Sequence, residues 1–220
     1  MLVVGLTGNI ASGKSTVSAQ LTGLGATIVD ADLLAREAVR PGSRALPRIV
    51  ARWGAEVLEP DGALDRSALR QRVFTDNAEL EALNAIVHPE VERMRLERIA
   101  AARDAGACVV VCDIPLLFEA HLAEQFDAIV LVDAPRPLRL ERLVMDRGLH
   151  ETEAMGMIAA QMPAELKRAR SDYVIDNRGD LDTLAARVEE VWQSLRAEAG
   201  HVDDPCEGEG SGRTTAAALS

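Results

Sequence analysis

Residues 8–15 read Gly-Asn-Ile-Ala-Ser-Gly-Lys-Ser. Two glycines, a lysine and a hydroxyl at this spacing form the pattern G-x-x-x-x-G-K-[ST], which can cradle phosphate. Gly8 and Gly13 allow the backbone to turn and approach closely where a Cβ would obstruct it. Successive backbone N–H groups then converge on one point, and the N-terminus of the helix-like stretch Thr16–Leu21 adds partial positive charge there. Lys14 would reach the β- and γ-phosphates, and the Ser15 hydroxyl would hold Mg²⁺. The candidate nucleotide contacts are therefore Gly8, Asn9, Ile10, Ala11, Ser12, Gly13, Lys14, Ser15 and Thr16.

Carboxylates and arginines supply the rest of a phosphoryl-transfer set. Asp30 and Asp32 follow an apolar run. On an extended segment two such carboxylates face the same way. One could accept a proton from an acceptor hydroxyl, and either could contact a metal-bound water. A helix cap competes with function at Asp30, because the sequence continues Leu33-Leu34-Ala35-Arg36, whereas Asp32 favours function. Asp113 ends another apolar run, where an acid can order Mg²⁺ through water. Arg136, Arg139, Arg142 and Arg147 follow a further run. Arg139 and Arg142 are three apart and share a helix face, as a lid that clamps a transferring phosphoryl group would require.

These groups need a frame that brings strand ends together. Five β-branched runs are expected as strands: Leu2–Leu6, Ala26–Val29, Cys108–Cys112, Ala128–Val132 and Tyr173–Ile175. Most lack polar alternation, as parallel strands covered on both faces do. Helical patterns between them predict an α/β layered sheet of about five parallel strands with flanking helices. Cys108 and Cys112, at strand spacing, are expected on one face as small buried residues. About 78 residues separate the second and third runs, too many for one crossover helix. This stretch is expected to carry a helical insertion at 61–105 that binds the acceptor. Its helices are predicted over about Arg66–Phe74 and Asn77–Ala105, the second split at His88-Pro89, since Pro disfavours helix in the residue before it. The lid is placed at 136–160, the whole folded domain at 1–200, and a disordered tail at 201–220.

The net charge of −11 argues against a general nucleic-acid partner, though not against a nucleotide substrate. No apolar run approaches a membrane span, and no secretory signal precedes the first strand. A cytoplasmic protein with small-molecule substrates, assumed monomeric, is the expectation.

An ordered set of short segments now stands out. It comprises Gly5-Leu6-Thr7-Gly8 with Lys14-Ser15, Asp30-Ala31-Asp32 with Ala35-Arg36, Pro41-Gly42, and His88-Pro89. It continues with Asp113-Ile114-Pro115-Leu116-Leu117-Phe118-Glu119, Arg142, Ala159-Ala160-Gln161 and Val174-Ile175-Asp176-Asn177. Over residues 1–196 the chain resembles the dephospho-coenzyme A kinase family, whose members are P-loop kinases. The resemblance implies a P-loop NTPase-type sheet, a helical coenzyme A subdomain and a lid. It implies transfer of the ATP γ-phosphate to the ribose 3′-hydroxyl of dephospho-CoA, with Mg²⁺ held at Ser15 and Asp113. Asp32 matches the family's proposed base, and Lys14, Arg139 and Arg142 complete the implied catalytic set. His88, Leu117 and Glu119 are implied on the acceptor. The chain departs from the family where Asn9 and Ala11 replace two glycines of the usual loop, where Asp146-Arg147 reverses the order Arg-Asp, and where Lys167 stands for a frequent Arg.

Two other readings compete. A kinase of the shikimate kinase type shares an Asp-x-Asp after its second strand. It carries Gly-Gly-Gly after its third, where this chain has Ile114-Pro115-Leu116-Leu117. A non-catalytic nucleotide switch would need an Asn-Lys-x-Asp motif, which the sequence lacks.

Overall fold

The computed structural model describes residues 1–73 and 76–201. Five parallel strands form one sheet: β1 (Leu2–Gly8), β2 (Thr27–Asp30), β3 (Val109–Asp113), β4 (Ala128–Asp133) and β5 (Tyr173–Asp176), in the spatial order β2-β3-β1-β4-β5. The three inner strands are buried along nearly their whole length, which is why they read as continuous apolar runs. Side chains alternate between two cores. Val4, Leu6, Val111 and Val130 face one side, under α1 (Lys14–Gly23) and α9 (Leu181–His201). Val110, Cys112 and Ile129 face the other, with Leu34 and Ile99 from the helices there. Cys108 does not share the face of Cys112. It precedes β3, outside the pleat, and packs with the first core. Burial raises the Cys112 thiol to about 11, so it behaves as an inert core residue.

Between β2 and β3 run α2 (Ala31–Glu37), α3 (Ala45–Trp53), α4 (Arg66–Val73) and α5 (Asn77–Asp104). They enclose a separate small core of Val39, Ile49, Trp53, Val57, Leu69 and Ile86. The helical unit thus reaches back to Val39, beyond the 61–105 expected. Phe74, expected in α4, lies outside the described residues, as does the tail after His201, which ends α9.

The break expected at His88-Pro89 is absent, and α5 is one helix with Pro89 inside it. A proline in a helix interior costs about 3 kcal/mol, through one lost backbone bond and a ring clash. Burying Ile86 on one side of it and Ile99 on the other returns about 1.5–3 kcal/mol each. A continuous helix lets both ends pack, so tertiary burial outweighs the local preference.

After β4 come α6 (Arg136–Met145), α7 (Glu151–Ala159) and α8 (Ala164–Arg168). Leu143 of α6 and Ala154 and Ile158 of α7 form a small shared core, and Ile10 and Ala11 of the phosphate loop pack against it. The region expected as a lid therefore packs directly against the phosphate loop.

Candidate active site

The phosphate loop leaves the C-terminal end of β1 and enters α1. Gly13 caps the helix with φ 90°, and a Cβ there would meet the Asn177 side-chain nitrogen at 2.1 Å. A Cβ on Gly8 would lie 2.7 Å from the Val132 carbonyl oxygen. Both glycines are thus dictated by space, and Gly13 also by backbone conformation. Ala11 sits at φ 58° without that freedom. A left-handed residue with a Cβ costs roughly 1–2 kcal/mol, while Gly loosens the unfolded chain by about 0.4–1 kcal/mol. Ala11→Gly should therefore be neutral or stabilising by up to about 1.6 kcal/mol, raising Tm by no more than a few degrees. A clear fall in Tm on thermal melting would contradict this account of the loop.

Lys14 starts α1, and its Nζ pairs with Asp113 at the end of β3. Asp113 is side by side with Asp30 across the β2–β3 ladder. Burial pushes the Asp113 carboxyl above its ordinary value, Asp30 adds to the rise, and Lys14 opposes it. Among the described residues no group of three or more His, Cys, Asp or Glu could hold a metal ion. Ser15 is exposed on the first turn of α1, beside this lysine.

The two aspartates after β2 have different fates. Asp30 caps α2, accepting from the backbone nitrogens of Asp32 (2.8 Å) and Leu33 (3.0 Å). Asp32 does not continue an extended segment beside it, because the helix begins at Ala31 and carries Asp32 in its first turn. There its exposed carboxylate lines a cavity of about 630 Å³. Ile114, Pro115 and Leu116 wall this cavity from β3, and Val87, His88 and Pro89 from α5. Leu117 was expected on the acceptor, but it is fully buried in the core beneath β1. Residues 115–121 form a turn, which sends Leu116 to the cavity and Leu117 inward. Glu119 does not reach the cavity either and faces the link between α7 and α8, where its Oε1 accepts from Met162 N at 3.1 Å.

Against the loop itself lies a groove of about 490 Å³, lined by Ser15, Thr16, Arg142, Arg147, Asn177 and neighbours. Arg142 donates to the Ala11 carbonyl (3.1 Å) and toward the Asn177 carbonyl (3.4 Å), which points its guanidinium along the groove. Arg139 is not beside it in the groove but buried. Its Nε donates to the Ala134 carbonyl at 3.0 Å, and its Nη1 is buried without a partner. Burial lowers the Arg139 pKa, against the pull of Asp133.

Three residues to which sequence reasoning gave no site role shape the loop. Asn177 Nδ2 donates to the Ser12 carbonyl at 2.8 Å. Gln161 Oε1 accepts from Ile10 N at 2.7 Å, and Met162 O accepts from Asn9 Nδ2 at 3.1 Å. The position of Asn177 just past a strand end was a usable signal. Gln161 is marked only by the segment Ala159-Ala160-Gln161, with no role attached, and nothing in the sequence marks Met162.

A family model described as CoaE, dephospho-CoA kinase, matches residues 2–183. This chain belongs to the dephospho-CoA kinase family. It is 47% identical over 196 residues to the dephospho-CoA kinase of Thermobifida fusca, covering 89% of this chain and 97% of that one. Identity to the dephospho-CoA kinase of Anaeromyxobacter dehalogenans is 46% over 200 residues, covering 91% and 95%. The crystal structure of TT1252 from Thermus thermophilus superposes with a TM-score of 0.74 at 38% identity, covering 88% and 97% of the two chains. Among the described residues no helix is long and apolar enough to cross a membrane.

Arg142→Ala should lower kcat by about tenfold or more, the effect of one lost charge-assisted hydrogen bond in the transition state. Tm should change little, because both of its bonds are to loop carbonyls. Early melting with normal turnover would make Arg142 a structural residue.

Proposed function

We propose that this chain transfers the γ-phosphoryl group of ATP to the ribose 3′-hydroxyl of dephospho-CoA, giving CoA and ADP. One observation carries the reading: a groove lies against the phosphate loop, and Asp32, which lines the separate cavity, sits two residues past Asp30 at the strand end next to it. The link is short, since Asp30 lies beside Asp113, and Asp113 holds Lys14.

ATP lies in the groove, with its phosphates on the backbone N–H groups of residues 8–15. Lys14 and Arg142 clamp the transferring group, while Arg139 stays buried on the Ala134 carbonyl, outside the groove. Asp32 accepts the proton of the 3′-hydroxyl as its oxygen bonds to Pγ and the bond to the bridging oxygen of ADP breaks. Ser15 and Asp113 are oxygen donors of the kind Mg²⁺ prefers, and they would hold the ion that accompanies ATP. When bound, Mg²⁺ neutralises charge building on the phosphate oxygens. The enzyme works in the cytoplasm on small molecules alone.

ADP release measured with dephospho-CoA, with shikimate and with no acceptor tests the reading. Turnover with dephospho-CoA only is expected. Equal release in all three would reduce the protein to an ATPase. In the same assay His88→Ala should raise KM for dephospho-CoA about three- to tenfold, the effect of losing one cavity contact, and KM for ATP less. A selective ATP defect would reverse the assignment of cavity and groove.

A further inference from the structure

One buried charge has no part in the transfer just described. Lys167 in α8 is fully buried. Its Nζ lies 2.8 Å from Glu119 Oε1 as an ion contact, with no well-aligned hydrogen bond of its own. Glu119 Oε2 is also buried without a partner. Desolvating two ions for a contact this incomplete is a poor way to stabilise a fold. Their neighbours give another reason for the pair.

Glu119 ends the segment whose residues Ile114, Pro115 and Leu116 wall the acceptor cavity. The carbonyl of Pro115 accepts from Thr7 Oγ1 at 3.1 Å, at the root of the phosphate loop. At its far end, Glu119 Oε1 meets Met162 N and Lys167 together. Gln161 and Met162, in the link between α7 and α8, in turn hold Ile10 and Asn9 of the loop. An unbroken set of contacts therefore runs from the cavity wall through Glu119 to the link between α7 and α8 and back to the loop. Burial alone would push the Glu119 carboxyl up, but Lys167 and the Met162 N–H hold it below the ordinary range, so it carries full charge at neutral pH.

We propose that the Lys167–Glu119 ion pair is a positioning device that couples occupancy of the acceptor cavity to the geometry of the phosphate loop, so that the two substrates bind cooperatively. The proposal rests on dephospho-CoA being the acceptor. A substrate pressing on the 114–119 wall shifts Glu119, and Glu119 carries Met162, hence Asn9 and Ile10, with it. Coupling of this kind is reciprocal, so ATP must favour dephospho-CoA by the same factor.

The test is calorimetric titration of a non-hydrolysable ATP analogue, with and without saturating dephospho-CoA. In the unaltered protein the acceptor should tighten the analogue about fivefold or more. Glu119→Gln keeps an oxygen for Met162 N but removes the charge, and the ratio should fall to within about twofold of one. Lys167→Arg keeps the charge and should keep the coupling. Glu119→Gln alone strands a buried ammonium and should melt early. The double variant Glu119→Gln, Lys167→Met removes both charges and should regain Tm without regaining the coupling. Recovery of both together would make the pair structural and overturn the proposal, as would an absence of coupling in the unaltered protein. If the unaltered protein does not phosphorylate dephospho-CoA, the acceptor assignment itself fails. Normal turnover with coupling unchanged in the double variant defeats the positioning role alone.

Discussion

Lys14→Ala should lower kcat/KM by at least about a hundredfold while leaving the fold intact, because a charge-assisted donor aimed at developing negative charge is typically worth 10²–10³. The lysine has a second effect that separates its roles. It is the cation paired with the buried Asp113. Without it, burial and Asp30 are opposed only by the Ser18 hydroxyl and raise that carboxyl's pKa further. A group whose folded pKa exceeds its unfolded one binds more protons when folded, so it costs stability as pH rises through that window. The ordinary value is 3.8, so the variant's Tm deficit against the unaltered protein should widen from about pH 4 upward and be small below it. Activity, by contrast, should stay low at every pH. Melting curves and initial rates at pH 5 and pH 7 check both halves. Near-normal turnover in the folded variant would remove Lys14 from the transfer step.

Asp32→Asn should depress kcat by roughly 10²–10⁴, the range for a positioned general base, and leave ATP affinity close to normal. The transition state is loose, so positioning and charge stabilisation supply most of the rate and the base a bounded share. The structure favours a clean result. The capping of α2 belongs to Asp30, and the Asp32 side chain makes no hydrogen bond or ion pair among the described residues. Its charge in the first helical turn is worth only about 0.3–1 kcal/mol. Calorimetry with nucleotide and single-turnover phosphorylation decide the matter. Transfer within about threefold of the unaltered rate would return the proton-transfer role to Asp30 or to positioning alone.

The sheet was legible because its inner strands are covered on both faces, so Leu2–Gly8 or Ala128–Asp133 shows as an apolar run closed by a glycine or an acid. The loop was legible for a similar reason: space and φ leave glycine alone at Gly13. What escaped depends on tertiary packing. Pro89 reads locally as a break, yet Ile86 and Ile99 hold α5 together across it. Leu116 and Leu117 are chemically identical, and only the turn that carries them decides which meets the cavity. Arg139 and Arg142 share a helix spacing, but the first is turned toward Ala134. Gln161 reaches Ile10 across 151 positions of sequence, a pairing no local pattern records. Ala11 stands where the resembling family's loop usually has glycine, and it occupies a left-handed position.

The most direct measurement follows the phosphorus itself. A single turnover with γ-labelled ATP and dephospho-CoA, followed by ³¹P NMR of the purified product, should find the label wholly in a 3′-phosphomonoester of the ribose. Label in inorganic phosphate at the same rate with and without acceptor, or on any other position of dephospho-CoA, would contradict the account.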